Sequence, residues 1–418
     1  MPINDQSLTH SALLSARARQ PDLASPAFKA NPFPYFARLR EVSPIREVRL
    51  SLRRRAWLIA RYDDALAVLR DPRFIKSPSI TEGAGAGLLR WLPATLRALS
   101  RNMLDLDEPD HRRLRELVQK AFTPAMVDGM RERVTAVCDS LLDRLEVADR
   151  PDLIRDYALP LPVTIIAEML GVPEHQRRHF HRWSSAVVAA DASTSHLLRA
   201  IPSSFAFLRF LRTLVRSKRI DPADDLLSRL TQVEEGGDHL SEDELLSMAF
   251  LLLIAGHETT VNLIGNGMLA LLEHPAELER LRKESSLMGS AVEEMLRFSS
   301  PVQMATERYT REDVVMSGVR IPRGSLVYVL LASANRDPSA FPDADRFDIA
   351  REPNRHLAFG FGSHFCLGAP LARAEGQIAI TRLLQRFTAL KLAEPNARLK
   401  WRRGLLLRGL ESLPVTLE

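Results

Sequence analysis

The most informative segment of this 418-residue sequence is Phe359-Gly-Phe-Gly362-Ser-His364-Phe-Cys366-Leu-Gly368. Its glycines allow a tight loop and a close approach of a flat ligand to the backbone. Cys366 comes just before a predicted helix, where the helix dipole and free amides are expected to lower the pKa of its thiol. One thiolate from such a loop suits an axial ligand of haem iron, because a zinc site needs more protein ligands.

The spacing of this loop changes how its cysteine is interpreted. Taken alone, a cysteine in a glycine turn is more often a buried core residue. The loop, however, matches Phe-Gly-x-Gly-x-His-x-Cys-x-Gly at every specified position and so resembles the haem-binding signature of the cytochrome P-450 family. The resemblance implies a haem b cofactor, with Cys366 as the axial ligand of its iron and Phe359, Gly360 and Gly368 as haem-binding residues. Cys138, in an amphipathic helical pattern, is interpreted as a core or boundary thiol.

A long apolar helix is predicted from Ser241 to Leu272. Ser241-Glu-Asp-Glu244 forms a capping box at its start, and apolar residues continue to Leu272. Roughly 32 residues at about 1.5 Å each give a length of roughly 50 Å. A helix so long and so apolar on all sides is expected to cross the middle of the protein.

The segment Ala255-Gly-His-Glu-Thr-Thr260 lies in the middle of this helix. Its glycine would thin the helix, and Thr259 could hydrogen-bond the carbonyl of Ala255 and open a groove. In isolation, a kink beside a satisfied core carboxylate is the better interpretation. The segment also resembles the oxygen-activation motif of the family, which implies that Glu258 and Thr259 relay protons to dioxygen and that Ala255 contacts the haem. No role is assigned to His257, which could line the pocket or face another helix.

Four basic side chains resemble the family's clamp for the haem propionates. His111 and Arg115 lie four residues apart on one helix face, Arg308 belongs to a strand, and His364 comes two residues before Cys366. Two carboxylates inside a protein need charged donors, so the resemblance implies that these residues bind the haem. The alternative is that the helical pair forms a solvated face.

Two further features follow the same resemblance. Glu294-Met-Leu-Arg297 matches the family's Glu-x-x-Arg, a buried pair completed by an arginine from the loop before the haem segment. Arg346 is the predicted third member. His356 could help to bind the haem but is interpreted as a loop residue.

Composition favours helices, because Leu and Ala dominate the apolar residues and aromatic residues make up only 6%. We expect a mainly α protein with the triangular cytochrome P-450 fold and small β-sheets, as one domain over residues 1–418 with a variable segment at about 1–30. The clearest secondary-structure predictions are helices at Tyr35–Glu41, His111–Ala121, Pro124–Leu145, Pro162–Leu170, Pro275–Arg282, Gly289–Arg297 and Ala369–Phe387, a strand at Ala56–Ala60, a hairpin at Val314–Leu331 and a loop at Lys76–Asn102.

The net charge of +5 does not suggest a nucleic-acid partner, and two cysteines do not suggest a disulfide framework. No signal peptide or membrane span is recognised. The sequence therefore predicts a cytoplasmic monomer.

The resemblance implies a bacterial haem-thiolate monooxygenase that inserts one oxygen atom of O2 into a C–H or C=C bond. The substrate is expected to be lipophilic (a terpenoid, steroid, fatty acid or macrolide-like product). Its pocket is expected to draw on residues 77–103, 183–211, 252–259, 302–305 and 405–407. Electrons must come from another protein, which we expect to be an acidic ferredoxin. The basic residues expected to steer it are Arg112, Arg113, Lys120, Arg355 and Arg373.

Two other functions stay open. A peroxide-driven fatty-acid hydroxylase or decarboxylase of the same fold would need no proton relay, and the intact pair Glu258-Thr259 argues against it. A non-catalytic haem sensor would usually bind the iron with a second protein ligand. His257 is the only nearby imidazole in the sequence.

Overall fold

A computed structural model describes residues 20–50, 54–77, 102–189, 194–235, 237–394 and 398–418. Most of the predicted loop at 76–102, including the glycine run Gly83–Gly87, lies outside the described residues. The first 19 residues of the variable N-terminal segment also lie outside them.

Helices dominate the described residues, which confirms the mainly α fold. They are α1 (Pro26–Ala30), α2 (Phe33–Val42), α3 (Tyr62–Arg70), α4 (Asp110–Ala121), α5 (Pro124–Gly129), α6 (Arg131–Glu146), α7 (Pro160–Met169), α8 (Glu174–Ala189), α9 (Thr194–Ile220), α10 (Leu226–Gln232), α11 (Glu242–Glu273), α12 (Pro275–Lys283), α13 (Met288–Ser299), α14 (Leu331–Ala334) and α15 (Ala369–Arg386). A π-helical turn spans Leu153–Ala158, and 3₁₀ turns span Ser285–Leu287 and Gly362–His364.

The strands are short and form one larger sheet and three pairs. They are β1 (Ile45–Arg49), β2 (Arg55–Ile59), β3 (Phe74–Ile75), β4 (Glu234–Glu235), β5 (Asp238–His239), β6 (Arg308–Thr310), β7 (Val314–Met316), β8 (Val319–Ile321), β9 (Leu326–Val329), β10 (Leu390–Leu392) and β11 (Val415–Leu417). The larger sheet has the order β1-β2-β9-β6-β3, in which only β2 and β9 are parallel, with Leu58 opposite Tyr328. Two apolar clusters, one containing Ile59 and one containing Leu58, cover its two faces because successive strand residues point to opposite sides.

Helix α11 forms the centre of the main core. The predicted capping box is present, since Ser241 Oγ accepts from Glu244 N (3.3 Å) and Glu244 Oε2 accepts from Ser241 N (2.9 Å). Close packing at small residues holds its neighbours near. A Cβ at Gly376 of α15 would approach Leu263 to 2.9 Å, and a Cβ at Gly267 would approach Met295 of α13 to 2.7 Å. The helix thus crosses the middle of the protein, as predicted.

By length and composition alone, α11 could also cross a membrane. In its most apolar stretch, 56% of the residues are buried by the rest of the protein. Helices that form the core of a water-soluble protein have the same composition, so this helix is explained by its place in the core.

Two element predictions were wrong in detail. The helix predicted over Pro124–Leu145 is two helices, because the chain turns at Met130, which ends α5 and begins α6. The predicted hairpin at Val314–Leu331 holds only for β7 and β8. Strand β9 leaves that pair and joins the larger sheet between β2 and β6, where apolar side chains on both faces bury it completely.

Candidate active site

The cysteine loop folds around its own backbone. Cys366 N donates to the carbonyl of Phe359 (3.0 Å), which closes the loop before α15 begins. Gly360 has φ +71°, a left-handed conformation that favours glycine. The Cys366 side chain keeps accessible surface although protein surrounds it, so the sulfur lies on the wall of an internal cleft. A cleft wall is where an axial ligand of a flat cofactor must lie.

The pKa of Cys366 differs from the sequence prediction. Burial raises the pKa of this thiol, and the amides of Gly368 and Ala369 together with Arg115 and Arg373 act in the opposite direction without overcoming it. The amides do point at the sulfur, as predicted, but they do not make a thiolate on their own. A cation bonded to the sulfur is needed to hold it deprotonated.

The predicted propionate clamp is assembled from three parts of the chain. His111 and His364 lie with ring centroids 4.1 Å apart, and the buried Arg308 acts on the charge state of His364. Arg115 Nη2 donates to the carbonyl of Phe365 (2.8 Å). Burial, followed by repulsion from the neighbouring basic groups, lowers the pKa of His364 to about 2.

Lys76 is a member of this cluster that the sequence did not reveal. It is buried, its Nζ donates to Thr306 Oγ1, and burial followed by repulsion from Arg308 lowers its pKa to about 7. Only its position after a short strand could have indicated it, because a lysine in a loop is ordinarily solvated.

These basic residues fit a bound dianion. His111 Nε2 is buried and has no hydrogen-bond partner in the described part of the chain. Burial lowers the pKa of Arg308 to about 10, with only Asp107 opposing the shift. Buried donors that repel one another are costly unless an anion lies among them, and the two propionates of a haem would supply that charge.

The motif on α11 has the predicted local geometry. Thr259 Oγ1 donates to the carbonyl of Ala255 (2.7 Å), and Thr260 Oγ1 donates to that of Gly256 (3.1 Å). Ala255 is exposed although it lies in the middle of a core helix, so this face of the helix borders the cleft. Side-chain bonds to the preceding turn weaken that turn and open a groove.

Glu258 is not the isolated buried carboxylate that the sequence suggested. It is partly exposed, and Arg402 Nη1 lies 3.4 Å from its Oε1. Arg402 belongs to the C-terminal segment, more than one hundred residues away along the chain, so no local pattern could have predicted this pair.

His257 is buried on another face of α11. At about 100° per residue, Glu258, Ala255 and Thr259 share an arc of roughly 100°, whereas His257 lies roughly opposite Ala255. This placement favours a core role for His257 and argues against a second ligand to the haem iron.

The cysteine loop and the motif Ala255–Thr260 are connected through the helices that carry them. Glu375 of α15, the helix that follows the cysteine loop, hydrogen-bonds Thr260 of α11. The cysteine loop and the acid–alcohol motif therefore belong to one site, built on two packed helices.

Comparison with known proteins identifies this site. A family model described as Cytochrome P450 matches residues 177–411. The chain is a cytochrome P450. It is 46% identical over 401 residues to cytochrome P450 107B1 of Saccharopolyspora erythraea, covering 94% of this chain and 98% of that protein. It is 44% identical to the cytochrome P450 monooxygenase PikC of Streptomyces venezuelae, covering 93% and 91% of the two chains.

The fold agrees with that family. The solved structure of PksS, a cytochrome P450 of the bacillaene polyketide synthase of Bacillus subtilis 168, superposes with a TM-score of 0.89 at 42% identity. The superposition covers 96% of this chain and 100% of that one. The P450 fold, the haem b cofactor and the monooxygenase activity predicted from the sequence are therefore confirmed.

The Glu-x-x-Arg pair of this P450 has a different third member from the one predicted. Arg297 binds Glu294 through two hydrogen bonds (2.7 and 2.8 Å), and both side chains are fully buried. The third side chain is Arg351, whose Nε donates to Glu294 Oε1 (3.2 Å). Arg346 contributes only its carbonyl, which accepts from Arg297 (3.1 Å), while its side chain pairs with Asp348. Arg346 is nearer in sequence to Glu294 and Arg297, but the irregular loop directs the side chain of Arg351 towards Glu294.

Several predicted docking residues of the P450 are committed to other partners. Arg113 pairs with Asp238 (3.0 Å) and with Glu244, and Arg373 forms two hydrogen bonds to Glu293 (2.7 and 2.8 Å). His356 binds the same carboxylate (3.1 Å) and is nearly buried, so it is more than a loop residue. The exposed members are Arg112, Lys120 and Arg355.

Proposed function

We propose that Cys366 is the axial thiolate ligand of the haem iron in this P450. The observation that carries the proposal is the position of its sulfur on a cleft wall, next to two amides and beside a buried basic cluster in which His111 Nε2 has no hydrogen-bond partner among the described residues. In this proposal Phe359, Gly360, Gly368 and Ala255 contact the macrocycle. The residues that hold the propionates are His111, Arg115, Arg308, His364 and, in addition, Lys76.

The haem, when bound, supplies the reductive activation of dioxygen and the transfer of one oxygen atom to a lipophilic substrate. The chain's own residues manage protons and water. Thr259 donates to the Ala255 carbonyl, so its oxygen stays free to accept a hydrogen bond from a water in the groove. Glu258 is partly exposed, so it can exchange protons with solvent, and Arg402 lies beside its carboxylate.

The spectrum of the reduced, CO-bound protein tests the ligand assignment. We expect the wild type to show the displaced Soret band of thiolate coordination, and Cys366→Ser to show the ordinary haem–CO position with monooxygenase activity lost. Cys138→Ser is the matched control, because Cys138 is buried among apolar residues of the core and should change neither property. A Soret band of the wild type at the ordinary haem–CO position would contradict the assignment of Cys366 as the thiolate ligand.

We propose that an acidic ferredoxin delivers the electrons, at the face that carries Arg112, Lys120 and Arg355. Membership of the P450 family implies some redox partner, and we propose that this partner is a ferredoxin. We also propose a cytoplasmic monomer with one domain over residues 1–418. The main apolar core joins Leu114 to Val415, and the pairing of β2 with β9 ties the N-terminal residues to the rest of the chain; both support the single domain.

We propose a macrolide-like polyketide as the substrate within the lipophilic class. The printed name of PksS places that relative in polyketide synthesis. In this chain two of the segments predicted to line the pocket meet, since Gln303 N donates to Leu406 O (2.7 Å) and Val302 pairs with Leu407. A titration that follows the low-to-high-spin shift tests this choice. A macrolide aglycone is expected to bind more tightly than a steroid or a fatty acid, and tighter binding of either of those would contradict it.

A further inference from the structure

A second cavity lies away from the cysteine loop. It has a volume of about 930 Å³ and is bordered by α1, the C-terminal half of α11 and residues 398–411. None of its lining residues belongs to the cysteine loop or to the motif Ala255–Thr260. Its size falls within the range of pockets that hold small organic ligands, roughly 300–1,000 Å³.

The deepest charged group on its wall is Arg408. This side chain is buried, and within the described residues no carboxylate lies at ion-pair distance from it. Its guanidinium donates to the carbonyls of Lys29 (2.9 Å) and Ala30 (3.5 Å) and stacks 3.8 Å from the ring centre of Trp401. Burial, and then repulsion from Arg336, lower the pKa of Arg408 to about 9. Glu273 attracts Arg408 and opposes this shift, but no described carboxylate bonds to the guanidinium directly, so the buried cation is only partly compensated and leaves a place for an anion.

The second arginine on the wall, Arg336, is better compensated. It lies between the rings of Phe33 and Phe298, 3.6 Å from each ring centre, and pairs with Asp345 at 3.1 Å. The cavity as a whole is cationic. Its charged lining residues are Arg336, Arg398, Lys400 and Arg408 against Glu273 and Glu411.

The remaining lining supplies an apolar surface and several polar side chains, among them the buried Asn266. Leu269, Ala270 and Trp401 contribute buried apolar area. Asn266 is buried, and its Oδ1 accepts no hydrogen bond from the described residues although its Nδ2 donates to Arg408 O (2.8 Å). A charged group at one end of an apolar wall fits an amphipathic anion better than a free inorganic ion.

We infer that this cavity is a binding site for a small organic carboxylate with an aromatic or alicyclic body, separate from the haem pocket. The carboxylate would bind the guanidinium of Arg408, and the ring would pack against Leu269 and Trp401. The site lies behind the segment that holds Leu405–Leu407, whose carbonyls accept from Lys29 Nζ (3.3 and 2.5 Å). The inference does not depend on the roles proposed for Cys366 or Glu258.

Calorimetric titration of the ferric holoenzyme with 2-naphthoate tests the site. The haem pocket is first saturated with 4-phenylimidazole, so that any remaining heat comes from elsewhere. We expect binding to persist under this block and the Soret band to stay unchanged. The neutral 2-naphthamide should bind at least roughly tenfold more weakly, because it lacks the charge that Arg408 pairs with.

Variants distinguish this site from a general attraction of anions. Arg408→Gln should weaken 2-naphthoate binding by roughly ten- to hundredfold, whereas Arg403→Gln, an exposed arginine outside the cavity, should not change it. Glu273→Gln removes a competing charge and should tighten binding by roughly two- to fivefold. Ala270→Phe fills the cavity and should abolish binding, which provides a test even where Arg408→Gln fails to fold.

Three results would overturn the inference. One is loss of all binding heat under 4-phenylimidazole, since 2-naphthoate would then occupy the haem pocket alone. Another is equal affinity for 2-naphthoate and 2-naphthamide. The third is an unchanged affinity in both Glu273→Gln and Ala270→Phe.

Discussion

Among single residues, the ion pair between Glu258 and Arg402 meets two requirements that conflict. A carboxylate that shuttles protons must reach water, yet a charge beside an apolar cleft needs a partner. Arg402, at 3.4 Å and partly exposed, answers both demands, because it compensates the charge without sealing the carboxylate from solvent. Thr259 then lies one residue further along the same helix face, bonded to the Ala255 carbonyl.

Glu258→Gln tests the proposed proton relay. The amide keeps the size of the side chain but cannot carry a proton, so kcat should fall by roughly 10²–10⁴-fold. Electron consumption should continue and yield hydrogen peroxide in place of hydroxylated product. Product formed per electron pair is the measurement. Glu279→Gln, an exposed carboxylate on the next helix α12, should keep the wild-type kcat. An unchanged product yield in Glu258→Gln would remove this residue from the relay.

At the scale of elements, the buried carboxylate of Glu294 ties a helix to the loop before the haem segment. It binds Arg297 of its own helix and accepts from Arg351 Nε (3.2 Å), Asp348 N (3.0 Å) and Asn354 Nδ2 (3.2 Å). Arg297 in turn donates to the carbonyls of residues 335, 344 and 346. Both carboxylate oxygens of Glu294 and all three guanidinium nitrogens of Arg297 have partners in this network, and that is what makes a buried ion pair tolerable.

Arg297→Gln should destabilise the holoprotein by about 3–5 kcal/mol, because it leaves Glu294 charged and only partly compensated inside the protein. Urea denaturation followed by haem release and circular dichroism measures the loss. Arg280→Gln provides the comparison, since its ion pairs are long (3.7–3.9 Å) and partly exposed, and it should cost less than about 1 kcal/mol. Similar losses of stability in the two variants would contradict a special role of the network around Glu294 and Arg297.

The contact between α11 and α15 contains a second buried carboxylate, Glu375. Burial raises its pKa to about 8, and only a hydrogen bond with Thr260 opposes the shift. The folded protein therefore keeps Glu375 protonated where the unfolded chain ionises, between about pH 4.5 and pH 8. Within that window the free energy of unfolding should fall as pH rises, by at most about 1.4 kcal/mol per pH unit for this group.

Glu375→Gln should remove this part of the pH dependence. The amide is neutral at every pH and keeps a similar shape, so the variant should gain stability over the wild type as the pH rises towards 8. Near pH 4.5 the two should be similar. Denaturation midpoints at pH 5, 6.5 and 8 measure the difference, and parallel profiles for the two proteins would show that Glu375 is ionised in the folded state.

In the molecule as a whole, the sequence predicted those structures that depend on a local pattern of residues. The capping box at Ser241, the apolar run of α11 and the spacing around Cys366 each fix a local structure. What it did not predict depends on distant contacts. Arg402 and Lys76 join the site from remote segments, and the choice of Arg351 over Arg346 depends on how an irregular loop turns. The net pKa of Cys366 also depends on burial, which the sequence does not encode locally.

Contacts between distant residues also change which residues are predicted to receive the electron donor. The sequence placed Arg112 and Arg113 together on the docking face, but Arg113 is bound to Asp238 and Glu244 and cannot be replaced without disturbing that contact. Arg112 is largely exposed and pairs with Glu108 of the preceding turn at 3.3 Å, and Arg355 is exposed as well. These two cations, together with the exposed Lys120, are therefore the predicted docking residues best placed to attract the proposed acidic ferredoxin.

Arg112→Glu combined with Arg355→Glu should slow reduction by a ferredoxin roughly tenfold at low ionic strength, because steering between opposite charges raises association rates by at least that factor. The difference should shrink near 1 M salt, where the screening length falls to about 3 Å. Stopped-flow reduction in the presence of CO measures the rate. Arg209→Glu on α9 has the same change of charge per residue and should have little effect. A reduction rate that ignores both salt and the double substitution would mean that the donor docks elsewhere or without charge.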